Sequence, residues 1–261
     1  MNLLINKTIL ITKSESDAKN NLDLLINEGA EIIYCPTIKI IPAVNSPELD
    51  DALMMFNNFN YLIFTSSNAV DVFTAVARER KINLSRIKVA AVGISTAEKC
   101  EASGITVDIL PDEFSSSGLI DKFLEFDLTG KKILIPGSSF SRSELSEGLR
   151  ELGAEVYSVP IYDVATNDIG SLKNIHKKIQ RKHPNLFVFT SPSSFYGFLK
   201  IMSVADTDKY FLSSIICSIG STTESAVREK GLSVHIVPQV FSLHGVSEAI
   251  INYYKLTANM A

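Results

Sequence analysis

At 261 residues, with 46% apolar and 21% charged side chains, the chain is long for one packed domain and comfortable for two. A net charge of −4 argues against the basic face that nucleic-acid phosphates require, but not against an acidic small ligand held by local N–H groups. No apolar run approaches the ~18 residues needed to cross a bilayer, and the first residues lack a basic start and small-residue cleavage site. Three scattered cysteines, Cys35, Cys100 and Cys217, fit neither a disulfide framework nor a zinc ribbon. A soluble cytoplasmic protein with reduced thiols, and without nucleic-acid or membrane partners, is expected.

In chain order, Thr8 to Thr12 reads as a buried strand, and Lys13-Ser14-Glu15-Ser16 opens a helix with Leu22, Leu25 and Ile26 at helical spacing. Gly29 caps that helix. Glu31 to Tyr34 is the next strand, running into Cys35-Pro36-Thr37-Ile38-Lys39-Ile40. The stretch 42–47 reads as loop, and Ser46-Pro47-Glu48 starts a helix with Pro at its first position. Tyr61 to Phe64 is a strand that stops at Thr65-Ser66-Ser67-Asn68 before helix Ala69 to Arg80. Strand Lys88 to Val92 ends at Gly93-Ile94-Ser95-Thr96 and enters helix Ala97 to Ser103. Strand Ile105 to Leu110 leads through Pro111 and Ser115-Ser116-Ser117-Gly118 into helix Leu119 to Phe126.

The pattern then restarts. Lys131 to Ile135 resembles Lys7 to Ile11, and Asn185 to Ser193 repeats Asn60 to Asn68. Ile219-Gly220-Ser221-Thr222-Thr223 repeats Val92-Gly93-Ile94-Ser95-Thr96, and Gly231 to Gly245 repeats Gly104 to Gly118. This is a two-fold duplication, too long in period for a solenoid. Short β-branched strands alternating with helices predict parallel sheets covered on both faces, hence two flavodoxin-like, doubly wound α/β domains. The repeats leave open whether each copy folds by itself or the chain crosses at two proline-led segments, around Pro36 and around Pro160. One position breaks the echo between those segments: Tyr162 stands where the first copy has Ile38.

Ligands of open α/β sheets bind beyond the carboxyl ends of the strands, and there this chain places Ser66, Ser67, Asn68, Thr96, Ser191, Ser193, Thr222 and Thr223. Any one of them is accounted for as an N-cap worth ~1 kcal/mol. As a set, they point to several helix N-termini offering N–H and hydroxyl donors to carboxylates or phosphates. No His-x-x-x-His, Cys-x-x-Cys, phosphate-loop or Gly-x-Ser-x-Gly motif is present, so a metal site, a nucleotide loop and a hydrolase elbow are not expected. His244 reads as a solvated loop histidine. Tyr162 reads either as a packed strand tyrosine or as a neutral phenol able to donate a hydrogen bond or proton.

Together FTSSNAVDVF, VAAVGISTA, PDEFSSSGL, GAEVYSVPIYDV, FTSPSSFYGFL, SIGSTTESAV and PQVFSLHGVSEAI resemble uroporphyrinogen-III synthase in order and spacing, from about Lys7 to Tyr254. The resemblance implies a bilobal enzyme whose chain crosses twice through a two-stranded linker. One domain would be 1–34 plus 167–261, the other 41–158, with 35–40 and 159–166 as linker strands. It implies a cleft that closes hydroxymethylbilane, a linear tetrapyrrole with eight carboxylates, by inverting its last ring and losing water, without metal or organic cofactor. A monomer is expected.

By motif, Tyr162 matches the family's linker tyrosine and becomes the candidate donor to the leaving hydroxyl. Thr96, Thr222, Thr223, Ser66 and Ser191 match residues expected to hold carboxylates or orient rings, with Ser67, Asn68 and Ser193 beside them. Lys13 stands where many members have Arg, which weakens the case for bidentate carboxylate binding. Arg142, in a loop less basic and less glycine-rich than the family pattern, remains available for a carboxylate. A second reading is a non-catalytic bilobal binding protein for an acidic small molecule; a paired regulatory receiver lacks the Asp cluster it would need.

Overall fold

The computed structural model describes residues 2–139 and 143–258. It contains two compact units, Met1–Lys39 with Ala165–Ala261, and Ile40–Val164. The boundaries between them therefore fall inside the segments 35–40 and 159–166. The strands are β1 (Thr8–Ile11), β2 (Glu31–Tyr34), β3 (Ile38–Pro42), β4 (Tyr61–Phe64), β5 (Lys88–Ala91), β6 (Lys132–Ser138), β7 (Glu155–Thr166), β8 (Leu186–Phe189) and β9 (Ile215–Ser218).

The first unit carries a sheet ordered β2-β1-β8-β9, parallel at every pairing, with Ile236 bridging Cys217 on the outer side. Numbered within the unit, that order is 2-1-3-4-5, the flavodoxin-like winding. Every residue of β1 and β8 is buried, as expected of strands covered on both faces. On one face Leu22, Leu25, Val246 and Ile250 pack against Ile9, Ile11, Leu186 and Val188. On the other, Phe187 and Phe189 meet Phe195, Phe198 and Phe211. Edge-to-face contacts such as Phe187 with Phe211 and Phe189 with Phe195, both at 4.9 Å, add to the area these rings bury.

The second unit carries a sheet ordered β3-β7-β6-β4-β5, with Ile109 bridging Ala90 beyond β5. Apart from β3, the winding is again 2-1-3-4-5, with β6 and β7 in the places that β1 and β2 hold in the first unit. The register follows the repeat: β6 pairs Lys132 with Glu155 as β1 pairs Thr8 with Glu31. Each sheet thus combines the opening β-strand pair of one copy with the three later strand segments of the other. Phe64, Phe73 and Ile161 lie in the core on one face, and Ile63, Ile133, Leu119, Phe123 and Leu149 on the other.

Several local expectations change. The helix expected from Glu15 splits into Glu15–Ala18, a 3₁₀ turn Lys19–Asn21 and Asp23–Asn27, because Asn20 and Asn21 favour local side-chain bonding over a helix interior. Leu22 and Leu25 are buried as expected, whereas Ile26 is 40% exposed. The strand expected over 105–110 contracts to the single bridge at Ile109. There the Asp108 carboxylate accepts the Val89 N–H at 2.7 Å, displacing a backbone acceptor. His235 Nδ1 does the same for the Ile216 N–H at 3.1 Å in the second copy. The stretch that begins at Pro42 is loop only from residue 43, since β3 includes Pro42. His244 is exposed, but on the first turn of helix Leu243–Ala258, 3.6 Å from Glu248, rather than in a loop.

Candidate active site

In the second unit the helices begin at the serines and glycine just beyond the strands. Ser66 caps helix Ser67–Glu79, its Oγ accepting the Ala69 N–H at 3.2 Å. Gly93 is the N-cap of helix Ile94–Ala102, without a side-chain cap. Ser115 caps helix Ser116–Phe123 by accepting the Gly118 N–H at 3.0 Å. Gly118 must lack a side chain, because a Cβ there would lie 2.1 Å from the Glu113 carbonyl oxygen. Ser67 Oγ donates to the Ser95 carbonyl at 3.1 Å, tying the first helix start to the second. Asn68 is half-buried on the first turn beside it. Thr96 is buried, its N–H donating to the Gly93 carbonyl at 3.0 Å.

Tyr162 enters this group from β7. Its Oη lies 2.9 Å from Ser66 Oγ, and the residue is only 5% exposed. Burial pushes the phenol pKa above its ordinary value, while the Ser66 hydrogen bond pulls the other way. The ring is turned inward by a shift in register: Gly137 pairs with Pro160, but Ser138 pairs with Tyr162. Ile161 is thus an extra residue, a β-bulge that breaks the alternation of a regular strand. Both Ile161 and Tyr162 consequently bury their side chains. Pro160 has no N–H to give, which is why an interior strand tolerates it only beside such an irregularity.

The matching strand ends of the first unit are occupied differently. Ser191 caps helix Pro192–Ile201 in a reciprocal box with Ser194. Ser194 Oγ accepts the Ser191 N–H at 3.0 Å and receives the Thr12 hydroxyl at 2.9 Å. Thr12 Oγ1 also accepts the Thr190 N–H at 3.1 Å, and Thr37 Oγ1 donates to the Ser194 carbonyl at 2.8 Å. Among the predicted residues here, Lys13 is half-buried, Ser193 and Thr222 are exposed, and Thr223 is buried with its N–H on the Gly220 carbonyl at 3.1 Å. Lys13 has no ion pair among the described residues. Arg142 lies outside the described residues.

Of the sequence-predicted residues, Ser66 and Tyr162 are hydrogen-bonded to each other, and Ser67 and Asn68 sit on the same helix start. The sequence marks Ser139 only as one of the strand-end serines and gives no sign of its tie to the tyrosine: its N–H donates to the Tyr162 carbonyl at 3.2 Å and its hydroxyl donates to Asp163. The available signal was Pro160 inside a strand, which announces a bulge.

Comparison with known proteins gives a consistent answer. The family described as "Uroporphyrinogen-III synthase HemD" matches residues 22–248. A uroporphyrinogen-III synthase of Synechococcus elongatus is 28% identical, the alignment covering 97% of this chain and 98% of that protein. One of Chlorobaculum parvum is 25% identical over 95% of this chain and all of its own length. Among solved structures, the Helicobacter pylori uroporphyrinogen-III synthetase superposes with a TM-score of 0.61 at 19% identity, covering 94% of this chain and 99% of that one. A mutant uroporphyrinogen III synthase of Thermus thermophilus gives 0.62 at 13% identity, covering 96% and 99%. At those identities the structural likeness speaks for the fold alone. The family match across most of the chain carries the assignment: this protein belongs to the uroporphyrinogen-III synthase family, the cyclising lyases of tetrapyrrole biosynthesis.

Proposed function

We propose that the chain closes hydroxymethylbilane to uroporphyrinogen III with Tyr162 as the acid that assists departure of the substrate hydroxyl. The observation that carries this reading is the buried phenol held 2.9 Å from Ser66 Oγ. Ser66 Oγ already accepts the Ala69 N–H, so its own proton is available for the phenol oxygen. The Tyr162 proton is then free to point at a ligand. Burial keeps the phenol neutral through and beyond the physiological range, as a donor requires.

In the step proposed, the carbinol C–O bond breaks and the Tyr162 proton leaves with the hydroxyl as water. The pyrrole nitrogen lone pair stabilises the azafulvenium carbon left behind. For the last ring to be inverted, the ring carbon that already bears its bridging methylene attacks that centre. The bond to that bridge then breaks and re-forms at the ring's free α-carbon, and the proton this second carbon sheds restores the phenol, so one water is lost overall. Departure of such a hydroxyl is intrinsically easy, which leaves geometry as the protein's main task.

Carboxylate contacts are assigned to Lys13, Ser67, Asn68, Thr96, Ser191, Ser193, Thr222, Thr223 and Arg142. Most lie at or beside helix starts, where N–H groups and hydroxyls favour anions. The same reading takes the two compact units as the domains, with 35–40 and 159–166 as linker strands. It treats the enzyme as a cytoplasmic monomer without nucleic-acid or membrane partners. The net charge of −4, the three free cysteines and the lack, among the described residues, of any helix long and apolar enough to cross a membrane support that setting. Incubation with hydroxymethylbilane should yield the type III isomer after oxidation while buffer alone yields type I; identical isomer ratios in the two would remove the assignment.

A further inference from the structure

We infer that Ser139 and Asp163 are positioning residues for Tyr162: they close the bulge in β7 and so fix where the phenol points. This rests on the reading of Tyr162 given above. Strand β7 lies between β3 and β6, yet Pro160 offers its neighbour no N–H. The ladder slips there by one residue. On its other edge β7 stays paired with β3, the Ala43 N–H donating to the Ile161 carbonyl at 2.8 Å and the Asn167 N–H to the Thr37 carbonyl at 2.9 Å, so it is the β6 edge that needs a new anchor after the slip. On the β6 edge that anchor is Ser139, which gives its N–H to the Tyr162 carbonyl at 3.2 Å and its hydroxyl to Asp163 Oδ1. One residue thus holds both the backbone of the tyrosine and the side chain next to it.

The duplication supplies the control. In the first copy, β1 and β2 pair from Thr8–Glu31 to Ile11–Tyr34, the Cys35 N–H donates to the Ile11 carbonyl at 2.8 Å, and the pairing stops before Lys13 and Pro36, the positions that match the bulge. The residue matching Ser139 is Glu15, paired with Lys19 at 3.3 Å. The residue matching Asp163 is Lys39, which is exposed. The clamp exists only in the copy that carries the tyrosine. Ser139 is exposed and Asp163 half-buried, so the pair adds little to stability; its worth lies in aim.

Ser139→Ala and Asp163→Ala should each lower kcat by about tenfold, since small misplacements of an acting group are costly, with KM within about twofold of wild type. Ser139→Thr and Asp163→Asn, which keep the donor and the acceptor, should recover most of the loss. In a Tyr162→Phe background Ser139→Ala should cost nothing more, as expected of residues acting through one another. With isotope-labelled tyrosine, the Tyr162 ring resonance, assigned by its loss in Tyr162→Phe, should move in both alanine variants. An unmoved resonance, or losses that multiply in the Phe background, would overturn the clamp. Full turnover in Tyr162→Phe would instead remove the donor role alone, and the resonance would still decide the clamp.

Discussion

The two units are built from the same repeat, yet their strand ends spend their hydroxyl groups differently. In the first, Thr12, Thr190, Ser194 and Thr37 are bonded to one another or to nearby backbone, and Ser191 is locked in its capping box. The matching positions of the second are Pro136, Thr65, Ala69 and Ile161. Of these, Pro136 and Ile161 are buried and Thr65 is exposed, so the hydroxyl network is gone. Ser66, the counterpart of Ser191, faces a phenol instead. Where side chains satisfy each other, a strand end is structure; where the internal partners are apolar, a hydroxyl is left for something else. Duplication gave two equivalent strand ends, and the substitutions at Pro136, Ala69, Ile161 and Tyr162 separated their duties.

Moving the phenol tests that separation most severely. The double substitution Tyr162→Ile with Ile38→Tyr keeps the composition but places the phenol in the copy without the Ser139 clamp. Turnover should fall at least ~100-fold, the usual worth of a general acid; retained turnover would mean the copies are interchangeable. Next in size is the contrast between the two capping serines. Both Ser66→Ala and Ser191→Ala should cost ~1 kcal/mol of stability through the lost cap; Ser191→Ala should raise KM through its lost carboxylate contact with kcat kept, whereas Ser66→Ala should lower kcat by about tenfold, because it frees the phenol to reorient. Equal kinetic effects would contradict the asymmetry.

Thr12→Ala should act on stability alone. It strips a partner from Ser194 and from the Thr190 N–H and should cost ~1–3 kcal/mol in denaturant unfolding, with kcat unchanged. The smallest effect at neutral pH belongs to a substitution whose main consequence is alkaline. Burial raises the Cys35 and Cys217 pKa values to about 12 and that of Cys100 to about 11. Tyr210, whose buried Oη has no hydrogen-bond partner among the described residues, is also raised to about 12. In each case the folded chain prefers the protonated form. Stability is therefore complete below about pH 9, where unfolded thiols begin to ionise, and declines toward pH 12. Three of these four groups belong to the first unit. Tyr210→Phe should leave stability at pH 7 unchanged or ~1 kcal/mol higher, by removing an unpartnered hydroxyl, and should lessen the loss above pH 10; a less stable variant at pH 7 would show that the hydroxyl has a stabilising role.

Much of the architecture was legible because repetition is a long-range signal. The matched spacing of Lys7–Ile11 with Lys131–Ile135, and of Asn60–Asn68 with Asn185–Ser193, implied equivalent strands, and β-branched alternation with helices implied parallel sheets. Helix starts were placed two or three residues late. Ser66, Gly93 and Ser115 are caps, so the helices include the Ser/Thr runs that looked like loops. At the site, Tyr162 stood out as a break in the echo and Ser66 as a strand-end serine, but their pairing did not. Ser66 is 96 residues away in sequence, and only the sheet order joins them. The bulge was legible only in part: Pro160 inside a strand signals one, but register is a property of two strands, and Ser139 meets Asp163 only once β6 and β7 have paired.

The central claim, that the second unit holds a working phenol, is tested most directly by the turnover of Tyr162→Phe on hydroxymethylbilane. The variant keeps the ring and its packing and removes only the hydroxyl. We predict kcat about 100-fold below wild type, equivalent to about 2.7 kcal/mol of barrier, with product affinity nearly unchanged and the residual product still type III. A kcat within twofold of wild type would reduce Tyr162 to a packing residue and contradict the account.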